Sequence, residues 1–68
     1  MRSLKEARYR LSLTKLDMAK RLNVSLSTIK KWEQNETHLN TIELIRAAKS
    51  YEMTNYELLQ YLKLKIEN

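Results

Sequence analysis

The residues best suited to chemistry lie in the stretch 26–34, LSTIKKWEQ. Counting roughly 100° per residue from Ile29, Ser27, Lys31 and Gln34 point away from the apolar pair Ile29 and Trp32, with Thr28 and Lys30 at the flanks. Two cations, two hydroxyls and an amide make a donor-rich face. Such a face suits an anionic surface that also presents hydrogen-bond acceptors, as phosphates and base edges do. A merely solvated helix carries the same residue types, so the face does not decide the matter by itself.

Other chemistries find little support. The chain has no cysteine and a single histidine, His38. Neither a disulfide nor a thiolate metal site is available, and His38 has no second histidine at ligand spacing. No nucleophile, base and orienting group can be assembled from these residues. Glycine is absent, which removes Gly-rich phosphate loops. We therefore expect no enzyme, no metal, no cofactor and no small-molecule ligand. No apolar run approaches a membrane span, and no signal-peptide core opens the chain. The expectation is a cytoplasmic protein that does not touch membranes.

The charge is uneven. Residues 1–31 hold nine Lys/Arg and two Asp/Glu, a balance of +7, and residues 32–68 hold four and six, a balance of −2, which together give the net +5. Such asymmetry suits one face built for a polyanion, the alternative being basic helices that are simply well solvated.

The elements that must position the 26–34 face are helical. Sixty-eight residues without glycine or proline favour a single all-α domain spanning 1–68 over a turn-rich β fold. Five helices are expected, at about 4–11, 15–22, 26–34, 41–51 and 55–66. Ser3 with Glu6, Thr14 with Asp17, Asn40 with Glu43 and Thr54 with Glu57 have capping-box spacing, and Ser25 is a further N-cap. Leu13 is placed to staple the start of the second helix. Met18, Ala19 and Leu22 line its inner face. Asn23 ends it, being tolerant of a left-handed conformation. Helix 1 has an inner stripe of Leu4, Ala7, Arg8 and Leu11. A charge in an apolar stripe needs a partner. The wheel that exposes Lys31 turns Glu33 inward beside Trp32, so an Arg8–Glu33 ion pair is expected. The alternative is that Arg8 reaches solvent along its stem. Residues 35–39 read as a loop in which Leu39 dips into the core. Helix 4 is expected to bury Ile42, Leu44, Ile45, Ala48 and Tyr51. Met53 should be buried after the turn at Glu52. Helix 5 shows an apolar stripe of Leu58, Leu59, Leu62 and Ile66, with Tyr56, Tyr61 and Leu64 on other sides. That surplus marks an interface, or else a helix that wraps its own domain and frays.

Two short helices joined by an Asn turn, with fixed apolar anchors beyond it, form a helix-turn-helix layout. Here the chain resembles the Cro and phage-repressor type of regulators, also called lambda-repressor-like or Xre-like. Their pattern is roughly T-Q-x-x-L-A-x-x-x-G-V-S-x-x-T-I-x-x-W-E-x-G. Thr14, Ala19, Val24, Ser25, Thr28, Ile29, Trp32 and Glu33 match it, and Met18 is a near variant. Lys15, Asn23 and Asn35 replace the usual Gln and two Gly, both Asn keeping αL tolerance. Glu52 stands where the family has Gly in the turn before the last helix, so altered turn geometry is expected there. The resemblance runs from about Leu4 to Leu59. It implies a five-helix, lambda-repressor-like domain with 26–34 as the recognition helix in the major groove. Family members often carry an Arg and a Glu at the positions of Arg8 and Glu33.

The resemblance also implies sites. Lys15, Leu26, Ser27, Thr28 and Lys31 are expected at base edges, with Lys31 suited to guanine and Leu26 to a thymine methyl. Lys30, Gln34, Asn35 and the start of helix 2 are expected at phosphates, with Arg10 and His38 as weaker candidates. The expected partner is double-stranded DNA, an operator read as an inverted repeat by a homodimer. Its interface would be Leu59, Leu62 and Ile66. The function expected is a repressor of phage, plasmid or bacterial type. The alternative is a protein-interaction module, such as an antitoxin that holds a partner protein through helix 5.

Overall fold

The computed structural model describes residues 3–67, with the side chains of Thr37 and of residues 64–67 outside the description. Five α-helices follow in order: α1 Leu4–Arg10, α2 Lys15–Leu22, α3 Leu26–Gln34, α4 Thr41–Ser50 and α5 Asn55–Glu67. A single 3-10 turn, Glu36–His38, stands between α3 and α4. Among the described residues there is no strand.

Every helix starts on a side chain three residues from its partner. Thr14 Oγ1 accepts the Asp17 N–H at 3.1 Å while Asp17 Oδ2 accepts the Thr14 N–H at 2.9 Å. Asn40 with Glu43 and Thr54 with Glu57 form the same reciprocal box. Ser25 caps α3 through the Thr28 N–H. At Ser3 the box is half made: its hydroxyl oxygen accepts the Glu6 N–H, and Glu6 Oε1 takes the hydroxyl proton instead of the Ser3 backbone N–H. Each cap contributes about 1 kcal/mol.

Three helices end alike. Ser12, Asn23 and Glu52 have positive φ of 57°, 56° and 51°. The residue after each donates its N–H to the carbonyl five residues back: Leu13 to Arg8, Val24 to Ala19 and Met53 to Ala48. These are Schellman turns, where glycine is cheapest. A residue with a Cβ held there carries strain of about 1–2 kcal/mol. Glu52→Gly should therefore raise stability by about 0.5–1 kcal/mol, a shift of several degrees in the thermal midpoint. The lost Arg21–Glu52 pair, 3.4 Å long and largely exposed, contributes little. An unchanged or lower midpoint would show that the turn is unstrained. Asn35 behaves otherwise. It is extended, with φ −148° and ψ 101°, because the chain runs on into the 3-10 turn and needs no left-handed reversal.

α2 packs against α3 and α4, α1 against α3, and α4 against α5. The core takes Leu4 and Ala7 from α1, Met18, Ala19 and Leu22 from α2, Ile29 and Trp32 from α3, and Leu39 from the segment after them. α4 corrects the sequence expectation. It buries Leu44, Ala47, Ala48 and Tyr51, while Ile42 and Ile45 are 72% and 44% exposed. At roughly 100° per residue Ile42 lies nearly opposite that stripe. Met53 is only half-buried, packed on the edge of the core. α5 brings a second correction. Its inward face is Leu58, Tyr61 and Leu62, with Tyr61 4% exposed, so the core reaches further along this helix than the stripe suggested. Leu59 points outward, 62% exposed.

Candidate nucleic-acid interface

Helix α3 is held from beneath by two apolar contacts and one ionic network. Ile29 and Trp32 are buried. Glu33, one residue on, turns its carboxylate into the protein. Arg8 Nε donates to Glu33 Oε2 at 2.9 Å and Arg8 Nη2 to Glu33 Oε1 at 2.9 Å. Arg8 Nη1 donates to the Leu13 carbonyl at 3.0 Å. The Tyr51 hydroxyl donates to Glu33 Oε2 at 2.7 Å. The side chains of Arg8 and Glu33 are 5% and 3% exposed. Arg8 thus does not reach solvent along its stem. Its hydrogen bonds to Glu33 raise the guanidinium pKa above its ordinary value, against the opposing effect of burial. A forked, desolvated pair of this kind fixes an orientation. It ties α3 at once to α1 and to the end of α4.

A second carboxylate does similar work and was not foreseen. Glu36, in the 3-10 turn, accepts the Leu4 N–H at 2.8 Å and the Tyr61 hydroxyl at 3.0 Å on the same oxygen. It ties the segment after α3 to the start of α1 and to α5. No local spacing announces Glu36, since its partners are 32 and 25 residues away. Tyr61 had a signal: Leu58, Tyr61 and Leu62 share the i, i+3, i+4 spacing of a helix face.

On the outward side Leu26, Ser27, Lys30, Lys31 and Gln34 are all exposed. No hydrogen bond or ion pair within the described residues occupies Ser27, Lys30, Lys31 or Gln34. Thr28 is half-buried, and its hydroxyl shares a 2.9 Å hydrogen bond with Ser25 Oγ. It is therefore partly committed to the cap. Asn35 and His38 are exposed beyond the end of α3.

Lys15 stands apart from the outer face of α3. It is half-buried, and with Lys5, Lys30, Glu33 and Gln34 it lines a cleft of about 380 Å³ where α1, α2 and α3 meet. The start of α2 holds Asp17, whose carboxyl is kept below its usual range by the Thr14 backbone N–H and hydroxyl. An anionic side chain thus sits where a phosphate was expected.

The arginines of the described residues are engaged inside the protein. Arg10 Nη2 donates to the Glu52 carbonyl at 3.0 Å and approaches Glu57 Oε1 at 3.4 Å. Sequence reasoning placed Arg10 at a phosphate. The fold instead brings it to the α4–α5 turn, whose carbonyl and carboxylate form a ready acceptor pair. Arg21 donates to the Ser50 carbonyl and Arg46 to that of Leu22. The cations left for a polyanion on this face are lysines.

Of the expected interface residues on α5, Leu59 is exposed and Leu62 is half-buried against its own core. Ile66 lies outside the residues whose side chains are described. No group of three or more potential metal ligands occurs among the described residues. No helix among them is long and apolar enough to cross a membrane.

A family model described as helix-turn-helix matches residues 4–59. No curated protein and no solved structure matches the chain.

Proposed function

We propose, from the premise that this chain belongs to the helix-turn-helix family of the Cro and phage-repressor type, that its DNA-binding regulatory role is that of a cytoplasmic repressor reading an operator. The supporting observation is α3: rigidly anchored by Ile29, Trp32 and the Arg8–Glu33–Tyr51 network, with unoccupied donors on its outward face. In this reading α3 lies in the major groove. Leu26, Ser27 and Lys31 meet base edges, and Thr28 helps from the cap. Lys30, Gln34, Asn35 and His38 meet phosphates and set register without reading sequence.

The test is selection of bound duplexes from a random pool, followed by substitution. Lys31→Ala should weaken the selected site by about 1–3 kcal/mol and relax preference at one base pair. Equal loss on selected and random duplexes would reject a base-reading role.

One recognition helix reads only a few base pairs. A symmetric homodimer places two of them about 34–36 Å apart, one turn of DNA. Leu59, exposed on α5, supports an interface there, and Leu62 flanks it. Because Leu62 also packs inward, Leu59→Glu is the cleaner probe. It should leave each domain folded, abolish self-association and weaken the inverted repeat roughly a hundredfold. A one-to-one complex on the full selected site would end the dimer reading. A distinct protein retained through α5, lost in Leu59→Glu while DNA binding persists, would favour the antitoxin reading instead.

A further inference from the structure

The segment after α3 has two sides. Asn35 and His38 are exposed, Glu36 between them is half-buried, and Leu39 lies in the core. Its backbone is the 3-10 turn Glu36–His38. His38 N–H donates to the Asn35 carbonyl at 3.1 Å and Leu39 N–H to the Glu36 carbonyl at 3.3 Å. Hydrogen bonds of this turn are poorly aligned, and so short a piece does not hold its own orientation. With three residues to a turn, a side chain two positions on points to a different side. Which way Asn35 and His38 face therefore depends on what holds Glu36.

Glu36 is held from two directions. Its Oε1 accepts the Leu4 N–H at 2.8 Å and the Tyr61 hydroxyl at 3.0 Å. The Leu4 N–H belongs to the first turn of α1, where no carbonyl of the same helix can accept it. Ser3 Oγ takes the Glu6 N–H, so the local cap is already spent. Tyr61 is buried on the inward face of α5. One carboxylate thus joins the end of α3 to the start of α1 and to α5. A carboxylate facing a polyanion would repel it; here the charge is turned inward onto two donors.

We infer that Glu36 is a positioning residue for DNA binding. It orients the 35–38 segment so that Asn35 and His38 meet the duplex backbone, and through Tyr61 it makes the placement of α5 a condition of that contact. The inference rests on the DNA-binding reading above, in which Asn35 and His38 touch phosphates. It adds Glu36 and Tyr61, which touch none, to the residues that set affinity.

The experiment measures affinity for the selected duplex with wild type, Glu36→Ala, Glu36→Gln and Tyr61→Phe. Each is made alone and together with Asn35→Ala and His38→Ala, and binding is read below the melting range of every protein. The sign is informative, because loss of an acid by itself strengthens binding to a polyanion. Positioning instead makes Glu36→Ala weaker by about tenfold, as two lost hydrogen bonds would. Glu36→Gln keeps an acceptor oxygen and should stay within about twofold of wild type. Tyr61→Phe keeps the ring and should lose about threefold. All these losses should vanish once Asn35 and His38 are alanine. Methylphosphonate substitution, one position at a time, gives a second readout. Glu36→Ala should become insensitive at the same phosphates as the Asn35→Ala, His38→Ala protein. A merely smaller folded fraction would leave the wild-type pattern in place, and that result would overturn the proposal. So would a Glu36→Ala protein that binds as tightly as wild type, or losses that persist without Asn35 and His38; both leave the DNA reading intact. A Glu36→Gln protein as weak as Glu36→Ala would assign the effect to charge and overturn positioning. Wild-type affinity in Tyr61→Phe would overturn the part played by α5. Should Glu36→Ala not fold, Glu36→Gln and Tyr61→Phe in the two backgrounds carry the same test. A wild type that retains no duplex would remove the DNA reading itself.

Discussion

Arg8→Met should cost the protein about 3–5 kcal/mol of stability, the range for removing one member of a buried pair. A chain of this length has a total of roughly 3–10 kcal/mol to lose, so the variant should lose a large share of its stability. The cause is specific. Methionine replaces much of the apolar stem but leaves the Glu33 carboxylate, 3% exposed, with Tyr51 as its remaining donor. The Leu13 carbonyl also loses its Arg8 donor. Glu33→Leu should be destabilising for the mirror reason, since it strands the guanidinium and the Tyr51 hydroxyl. The double replacement should be milder than the sum of the two, with a coupling of about 0.5–3 kcal/mol. Denaturant unfolding of the four proteins measures this. Additive losses would mean that the two groups are not energetically paired. DNA binding by whatever Arg8→Met remains folded would then report how far α3 depends on this brace for its orientation.

Raising the pH above 10 should unfold the protein steeply. Tyr51 and Tyr61 are buried, and each gives its hydroxyl proton to a carboxylate, Glu33 and Glu36 respectively. Burial is the largest cause pushing both phenols far above their ordinary range, and the neighbouring carboxylates add to it. A phenolate formed there would be desolvated beside another anion. The sign follows from the raised values. Below about pH 10 both folded and unfolded chains keep the protons, and the full stability is present. Above it only the unfolded chain releases them. Stability then falls by about 1.4 kcal/mol per pH unit for each tyrosine, or about 4 kcal/mol for the two by pH 11.5. Thermal melts from pH 8 to 11.5 should show that decline, with tyrosinate absorbance from Tyr51 and Tyr61 rising together with unfolding. Tyr61→Phe should remove about half of the slope. A midpoint that stays flat through pH 11 would contradict the burial of both hydroxyls.

Both predictions rest on contacts of different legibility. The Arg8–Glu33 pair was readable because helical geometry turns each residue inward, and a buried charge demands its opposite. The helix starts at Thr14, Ser25, Asn40 and Thr54 were readable for a simpler reason: each cap joins residues three apart, and the covalent chain brings them together whatever else folds. Asn23 was readable because few residues accept a positive φ. The left-handed turn at Ser12 was not, since serine carries no such preference and the turn is imposed by where α2 must begin.

Composition and periodicity by themselves determined the all-α class, the start of each helix and which side of α3 faces out. They did not determine the phase of α4 or of α5. Ile42, Leu44, Ile45 and Ala48 all fit an apolar stripe of some orientation, and only the neighbouring helices chose the Leu44, Ala47, Ala48, Tyr51 face over one containing Ile42. The same holds for Tyr61, Glu36 and Arg10, and for the gathering of Lys5, Lys15 and Lys30 at one cleft. Their companions lie on other elements, up to 47 residues away along the chain. A side chain's own sequence neighbourhood sets its local geometry; which distant acceptor or like charge it meets depends on how whole helices pack, and that is settled by the summed burial of the core.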